Sequence, residues 1–226
     1  MRLLRVDASI RTDGSVSRSV ADSALSGMRS RIPNLTVIRR DLGREPLPAR
    51  TWVDAIAARA ASAPLTPAQQ DALALATTLV DELVDADALL FAIPLYNFGV
   101  PQHVKAWIDV VITDARLKAS GERVLSRKPA ILVLARGGGY GEGAPRHGWD
   151  HSTPWLRRIF VDVWDLELET TAVELTLAHV TPAMASLRDR ADQELAAGHL
   201  LARTQGEQVA ERLLRGEAAP QRAGTA

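Results

Sequence analysis

The chain of 226 residues has no cysteine. That absence removes disulfides, thiolate nucleophiles, iron–sulfur clusters and cysteine-based zinc sites together, and it fits a reducing compartment. An excess of one charge is also missing. Lys plus Arg and Asp plus Glu both number 27, for a formal net charge of zero, so the chain builds no field for polyanions or acidic membranes. Nucleic acid and membrane are therefore not expected partners. No apolar run approaches the roughly 20 residues that span a bilayer. The opening MRLLRVDASI goes straight into a strand pattern, without the apolar segment and cleavage site of a signal peptide, so a cytoplasmic location is expected. Internal repeats are absent, and neither the glycine spacing of a dinucleotide fingerprint nor that of a Walker loop occurs.

What is present suits one large α/β domain over residues 1–214. Residues 215–226 (RGEAAPQRAGTA) read as a frayed tail. Apolar runs at 3–6, 88–93 (ALLFAI) and 130–135 (AILVLA) lack strict alternation, the pattern of strands covered on both faces in a parallel sheet. Weaker strand patterns at 35–39 and 167–173 suit the edges. Helical patterns lie between them at 17–31, 55–61, 67–85, 101–112, 153–163 and 182–214. The alternation predicts right-handed crossovers and a doubly wound, five-stranded parallel sheet of order 2-1-3-4-5, with helices on both faces.

In such a sheet a ligand lies beyond the carboxyl ends of the strands, near the reversal of strand order, so the loops after the central strands matter most. The first, Ser9 through Ser17, leads into a helix. Backbone N–H groups at the helix start, with Ser9, Ser15 and Ser17 beside Val16, suit a phosphate dianion; the competing reading is a plain N-cap. Without glycine fingerprints, the loop favours a mononucleotide. The second loop, after the third strand, carries Pro94, Leu95, Tyr96, Asn97 and Phe98, where a flat ring could rest against aromatic faces and backbone N–H groups. An ordinary strand-to-helix turn would use the same residues. The third, Ala135, Arg136, Gly137 and Gly138, opens a glycine-rich stretch that lets backbone approach a ligand closely. Arg136 or main-chain N–H groups there would stabilise negative charge on a reduced ring; the alternative is a mobile surface loop.

At these loops the chain resembles the FMN-dependent NADH-azoreductase family, homodimeric flavodoxin-like enzymes that also reduce quinones. The resemblance rests on Ser9 with Ser15-Val16-Ser17, on Pro94-Leu95-Tyr96-Asn97-Phe98 followed by Pro101, Lys105 and Asp109, on Arg136-Gly137-Gly138, and on the run Thr153-Pro154-Trp155-Leu156. It covers the chain from its start to about residue 165. It implies that Ser9 and Ser15 to Ser17 bind the phosphate and ribityl groups of FMN, that Leu95 to Phe98 hold the isoalloxazine, and that Ala135 to Gly138 hold its pyrimidine edge. It further implies NADH or NADPH as electron donor, ping-pong transfer to a small-molecule acceptor such as a quinone or azo compound, and a homodimer. The chain departs from the family pattern in three places. Ala135 stands where a hydroxyl residue is common, the 110–129 connection is shorter and lacks an aromatic-rich segment, and VDVWDLELE follows Phe160.

Tyr140, just past the glycine loop, is a candidate proton or hydrogen-bond donor near the flavin. His103, His147 and His151 read as surface or capping residues and no metal site is expected, since Pro145 and Gly148 make a helix carrying His147 and His151 doubtful. Trp149, Trp155 and Trp164 either cover a patch shared by two subunits or belong to the core of one. Two other readings remain open: an electron-carrying flavodoxin, against which the neutral charge argues, and a biosynthetic enzyme of the same fold with altered chemistry.

Overall fold

The computed structural model describes residues 1–118 and 123–216. Five strands, β1 (Arg2–Asp7), β2 (Thr36–Asp41), β3 (Ala88–Pro94), β4 (Pro129–Ala135) and β5 (Glu167–Val173), form a parallel sheet in the order β2-β1-β3-β4-β5. Every residue of β3 and β4 is buried, because helices cover both faces; this is why their sequences run apolar without alternation. The edge strands β2 and β5 are partly exposed and carry Arg39, Arg40, Glu167 and Glu169.

Six α-helices flank the sheet: α1 (Val16–Arg31), α2 (Thr51–Ala60), α3 (Pro67–Asp85), α4 (Gln102–Val111), α5 (Ser152–Arg157) and α6 (Arg188–Leu214). On one face Leu3, Leu90 and Val133 pack against Val20, Ala24 and Met28 of α1 and Ala202, Val209 and Leu213 of α6. On the other, Leu4, Leu89, Phe91 and Leu132 meet Leu79 and Leu83 of α3, Trp107 and Ile108 of α4, and Leu156 and Phe160. Phe91 stacks on Phe160 at 4.3 Å and Phe160 on Trp164 at 5.4 Å, so Trp164 is a core residue of this chain.

Contact between α1 and α6 depends on glycine. A β-carbon on Gly206 would lie 2.0 Å from the carbonyl oxygen of Ala24, and one on Gly27 would lie 2.1 Å from that of Arg203. Neither backbone oxygen can swing aside. The start of α3 carries a full capping box: Thr66 accepts from the Gln69 N–H, the Gln69 side chain accepts from the Thr66 N–H, and Pro67 opens the helix. Its far end is closed by the buried Lys128, whose Nζ donates to the Leu83 and Val84 carbonyls at 2.7 and 2.8 Å, meeting acceptors left over at a helix terminus.

The expected helix at 153–163 divides, α5 passing into a π-helical turn at Arg158–Val163. That at 182–214 begins as a 3-10 segment, Pro182–Leu187, before α6. Apolar spacing over one or two turns does not separate these helix types. The helix expected at 55–61 starts earlier, with Thr51 buried against the core and Asp54 in its first turn. Of the expected frayed tail, Arg215 and Gly216 form a turn and residues 217–226 lie outside the described residues. Among the described residues, no helix is long and apolar enough to cross a membrane.

Candidate functional site

From β1 the chain crosses to β2 on one side and later returns to β3 on the other, so the strand order reverses between β1 and β3. The loops that leave β1, β3 and β4 at their carboxyl ends meet there, where the fold leaves a crevice.

The first loop is built around three buried serines, Ser9, Ser15 and Ser17. Ser15 adopts extended backbone and its hydroxyl accepts from the Arg18 N–H, capping α1. The first turn of that helix carries no acidic residue. The Ser9 Oγ accepts from the Arg11 N–H at 3.2 Å, which leaves its own O–H to donate outward. The Ser9 carbonyl is fixed from two sides: Arg18 Nη2 donates to it at 2.7 Å, and Gly43 approaches so closely that a β-carbon would lie 2.1 Å away. Arg18 itself is gripped by Asp41 through bonds of 2.6 and 2.7 Å. Its bond to Asp41 outweighs burial and holds the guanidinium above its ordinary pKa. Burial works to raise the Asp41 carboxyl, but hydrogen bonds from Arg18 and the Arg44 N–H hold it below its ordinary value.

The second loop is a tight hairpin turn. Tyr96 and Gly99 exchange backbone hydrogen bonds at 3.3 and 2.9 Å, and Asn97 and Phe98 between them have φ of 49° and 66°. Two successive left-handed residues are what such a turn demands; for Phe98 the conformation costs about 1–2 kcal/mol. Among the described residues the N–H groups of Asn97 and Phe98 have no acceptor. The Tyr96 hydroxyl accepts from the Ile10 N–H at 3.2 Å and ties this turn to the serine loop. His103, in the first turn of α4, donates through Nε2 to the Ala8 carbonyl at 2.7 Å.

The third loop continues beside the chain leaving β5: Thr176 and Leu177 donate backbone N–H groups to the carbonyls of Arg136 and Gly137. Arg136 does not offer its charge to the crevice. Its guanidinium pairs with Glu174 at 2.9 Å and Asp150 at 2.8 Å and donates to Thr153. Glu174 also accepts from the Tyr140 N–H at 2.9 Å, so these residues brace the glycine loop from behind.

Together the three loops enclose a cleft of roughly 640 Å³, counting the space open to solvent. Ser9, Ser15, Val16, Ser17, Pro94, Leu95, Tyr96, Ala135 and Gly137 line it, joining residues far apart in the chain. Arg11, Gly14, Thr176 and Leu177 complete the wall and were not singled out from the sequence. Arg11 and Gly14 sit inside a loop already chosen for its serines. Thr176 and Leu177 follow an edge strand, where attention to the central strands does not reach.

Other expected residues stand outside the cleft wall. Asn97 and Phe98 sit at the tip of the turn, and the Phe98 ring meets Trp149 edge-on at 5.5 Å. Gly138 is buried under Arg146, whose Nη1 would be 2.1 Å from a β-carbon placed there. Tyr140 is not among the lining residues, and its N–H is on Glu174. His147 lies in a turn and His151 next to the start of α5, not on a shared helix. The three tryptophans separate: Trp164 is buried, Trp155 is half-buried with Lys105 Nζ 5.8 Å from its ring centre, and Trp149 is exposed.

Comparison with known proteins agrees with this geometry. The family model described as a flavodoxin-like fold matches residues 1–196. The chain is 38% identical over 198 residues to an FMN-dependent NADH:quinone oxidoreductase of Frankia alni, covering 87% of this chain and 94% of that one. It is 35% identical over 211 residues to its namesake in Streptomyces avermitilis, covering 93% and 97%. The chain belongs to the FMN-dependent NADH:quinone oxidoreductase family. Solved structures share the fold of this oxidoreductase family member. An azoreductase of Bacillus anthracis strain Sterne superposes with a TM-score of 0.75 at 23% identity, covering 92% of this chain and 99% of the other. An FMN-dependent NADH-azoreductase of the Ames Ancestor strain, in complex with FMN, gives 0.73 at 19%, covering 94% and 99%.

Proposed function

We propose that this protein holds FMN in the three-loop cleft and passes two electrons, in ping-pong fashion, from NADH or NADPH to a quinone, azo compound or related conjugated electrophile. One observation carries the reading: a serine-lined helix start, the loop segment Pro94 to Tyr96 and a glycine loop converge at the reversal of strand order. The relatives' names supply the cofactor, donor and acceptor class.

The residues present fit FMN. Ser15 caps the 16-residue helix α1 and Ser17 lies in its first turn, with Ser9 at the head of the same loop and all three residues buried; helix dipole and free N–H groups there favour a phosphate. Apolar Leu95 and the ring of Tyr96 form a wall for a flat ring system. The N–H groups of Asn97 and Phe98, without an acceptor among the described residues and at the tip of the turn beside the wall, would be donors for its polar edge. When bound, FMN supplies the hydride and electron chemistry. The protein's part is to position the ring and keep the loops rigid through the Arg18–Asp41 and Arg136–Glu174 ion pairs. Ala135 offers no side-chain hydrogen bond at its position.

The exposed rings of Phe98 and Trp149, which meet edge-on at the tip of the turn, would offer the acceptor an apolar surface beside the cleft. Trp52, Val53 and Ile56 of α2 are also exposed, an apolar face of the kind that covers a subunit interface, which supports a homodimer. Anaerobic titration tests the reading. The FMN-loaded protein should lose its visible flavin absorption with one equivalent of NADH and recover it with one equivalent of a benzoquinone. A protein that takes up no FMN contradicts the proposal; one that takes up FMN but is not reduced by NADH favours the electron-carrier alternative.

A further inference from the structure

Four arginines stand at or beside the cleft, and their charges are not equally available; one of them, Arg146, covers Gly138 and is not part of the cleft lining. Arg18 is committed to Asp41 and lies 3.6 Å from Asp7. Arg136 is committed to Asp150 and Glu174. Arg11 lines the cleft with Ser9, Ser15 and Ser17, and among the described residues no carboxylate pairs with it. Its backbone is held by the bond from its N–H to Ser9 Oγ, so the root of the side chain is fixed to one of the serines while the guanidinium stays free.

We propose that Arg11 is the cation that pairs with the cofactor's phosphate and makes the cleft select FMN over riboflavin. The inference rests on the FMN reading above. Without Arg11, a phosphate among the serines would meet only neutral donors and the helix dipole, because Arg18 and Arg136 are already neutralised by carboxylates and Arg146 lies over Gly138, outside the cleft lining. A forked guanidinium adds charge-assisted hydrogen bonds, about twice as strong as neutral ones. Since Arg11 is exposed at the cleft mouth, its contribution is sensitive to salt. Ser9 links the two parts of the site: its Oγ accepts from Arg11, and its O–H is left for the same phosphate.

The test is equilibrium binding of FMN and of riboflavin to the apoprotein, followed by quenching of flavin fluorescence, with no nicotinamide present. Arg11→Gln should weaken FMN by roughly 10-fold or more, change riboflavin by less than about 2-fold, and flatten the salt dependence of FMN binding. Arg11→Lys should keep part of the preference. The proposal is overturned if Arg11→Gln binds FMN as tightly as the wild type, or if FMN and riboflavin weaken equally. It is also overturned if FMN affinity holds while the KM for NADPH rises, which would assign Arg11 to the donor. A wild-type protein that binds neither flavin contradicts the FMN reading itself, an outcome distinct from the others.

Discussion

Gly43 and Asp41 show how a residue outside the cleft can shape it. Gly43 faces the carbonyl of Ser9 at a distance no side chain allows. Gly43→Ala should therefore displace the serine loop, destabilise the fold by about 1–3 kcal/mol as overpacking does, and weaken FMN binding beyond what the shift in Tm explains. Asp41 makes a pH prediction. Its carboxyl is held below the ordinary value in the folded protein, so its stabilising contribution is complete above the unfolded carboxylate pKa of about 3.9 and is lost as pH falls through the depressed folded value. Tm owed to the Arg18–Asp41 pair should be flat from pH 7 to about 5 and decline only in acid, and Asp41→Asn should remove that acid dependence. Arg18→Met leaves Asp41 without its main partner, with the carboxylate side chain 21% exposed. It should cost roughly 2 kcal/mol, less than a fully buried pair, as measured by urea unfolding.

Among the elements, α1 connects packing to the site, because Ser15 caps it, Ser17 lies in its first turn and its middle is pressed against α6. Gly206→Ala forces a β-carbon onto the Ala24 carbonyl, so it should lower Tm by several degrees and reduce FMN affinity through movement of α1. Gly141→Ala, with nothing within 4 Å of the added carbon, should stay within about 0.5 kcal/mol of the wild type. The elements also differ in how legible they were. β3 and β4 were plain in the sequence, since an unbroken apolar run bounded by polar residues has few other uses in an α/β chain. The π-helical turn after α5 and the 3-10 start before α6 are not, because the same apolar spacing serves each helix type and the choice is made by packing: Phe160 against Phe91 and Trp164 in the first, Met184 and Leu187 against Leu175, Ala178 and Ala191 in the second.

For the fold as a unit, strand order and the convergence of three loops follow from alternation of strands and helices and the handedness of their crossovers, which short-range pattern reports well. Side-chain partnership does not follow from it. In the sequence Arg136 is one candidate, beside main-chain N–H groups, for stabilising charge on a reduced ring, yet its guanidinium is neutralised by Asp150 and by Glu174, a residue 38 positions away. Arg11 and Thr176 carry no signal in the sequence, because an exposed arginine and a threonine after an edge strand are ordinary surface residues until the fold brings them to the cleft. The oligomer belongs here too: light scattering on the eluting protein should report twice the 24.4 kDa chain mass, and Trp52→Glu on α2 should shift it toward the monomer. Anaerobic spectroscopy of the FMN-loaded protein probes the whole account at once. One equivalent of NADH should bleach the flavin band completely and one equivalent of quinone restore it, each half-reaction proceeding without the other substrate; an apoprotein that leaves added FMN free and fluorescent would contradict it.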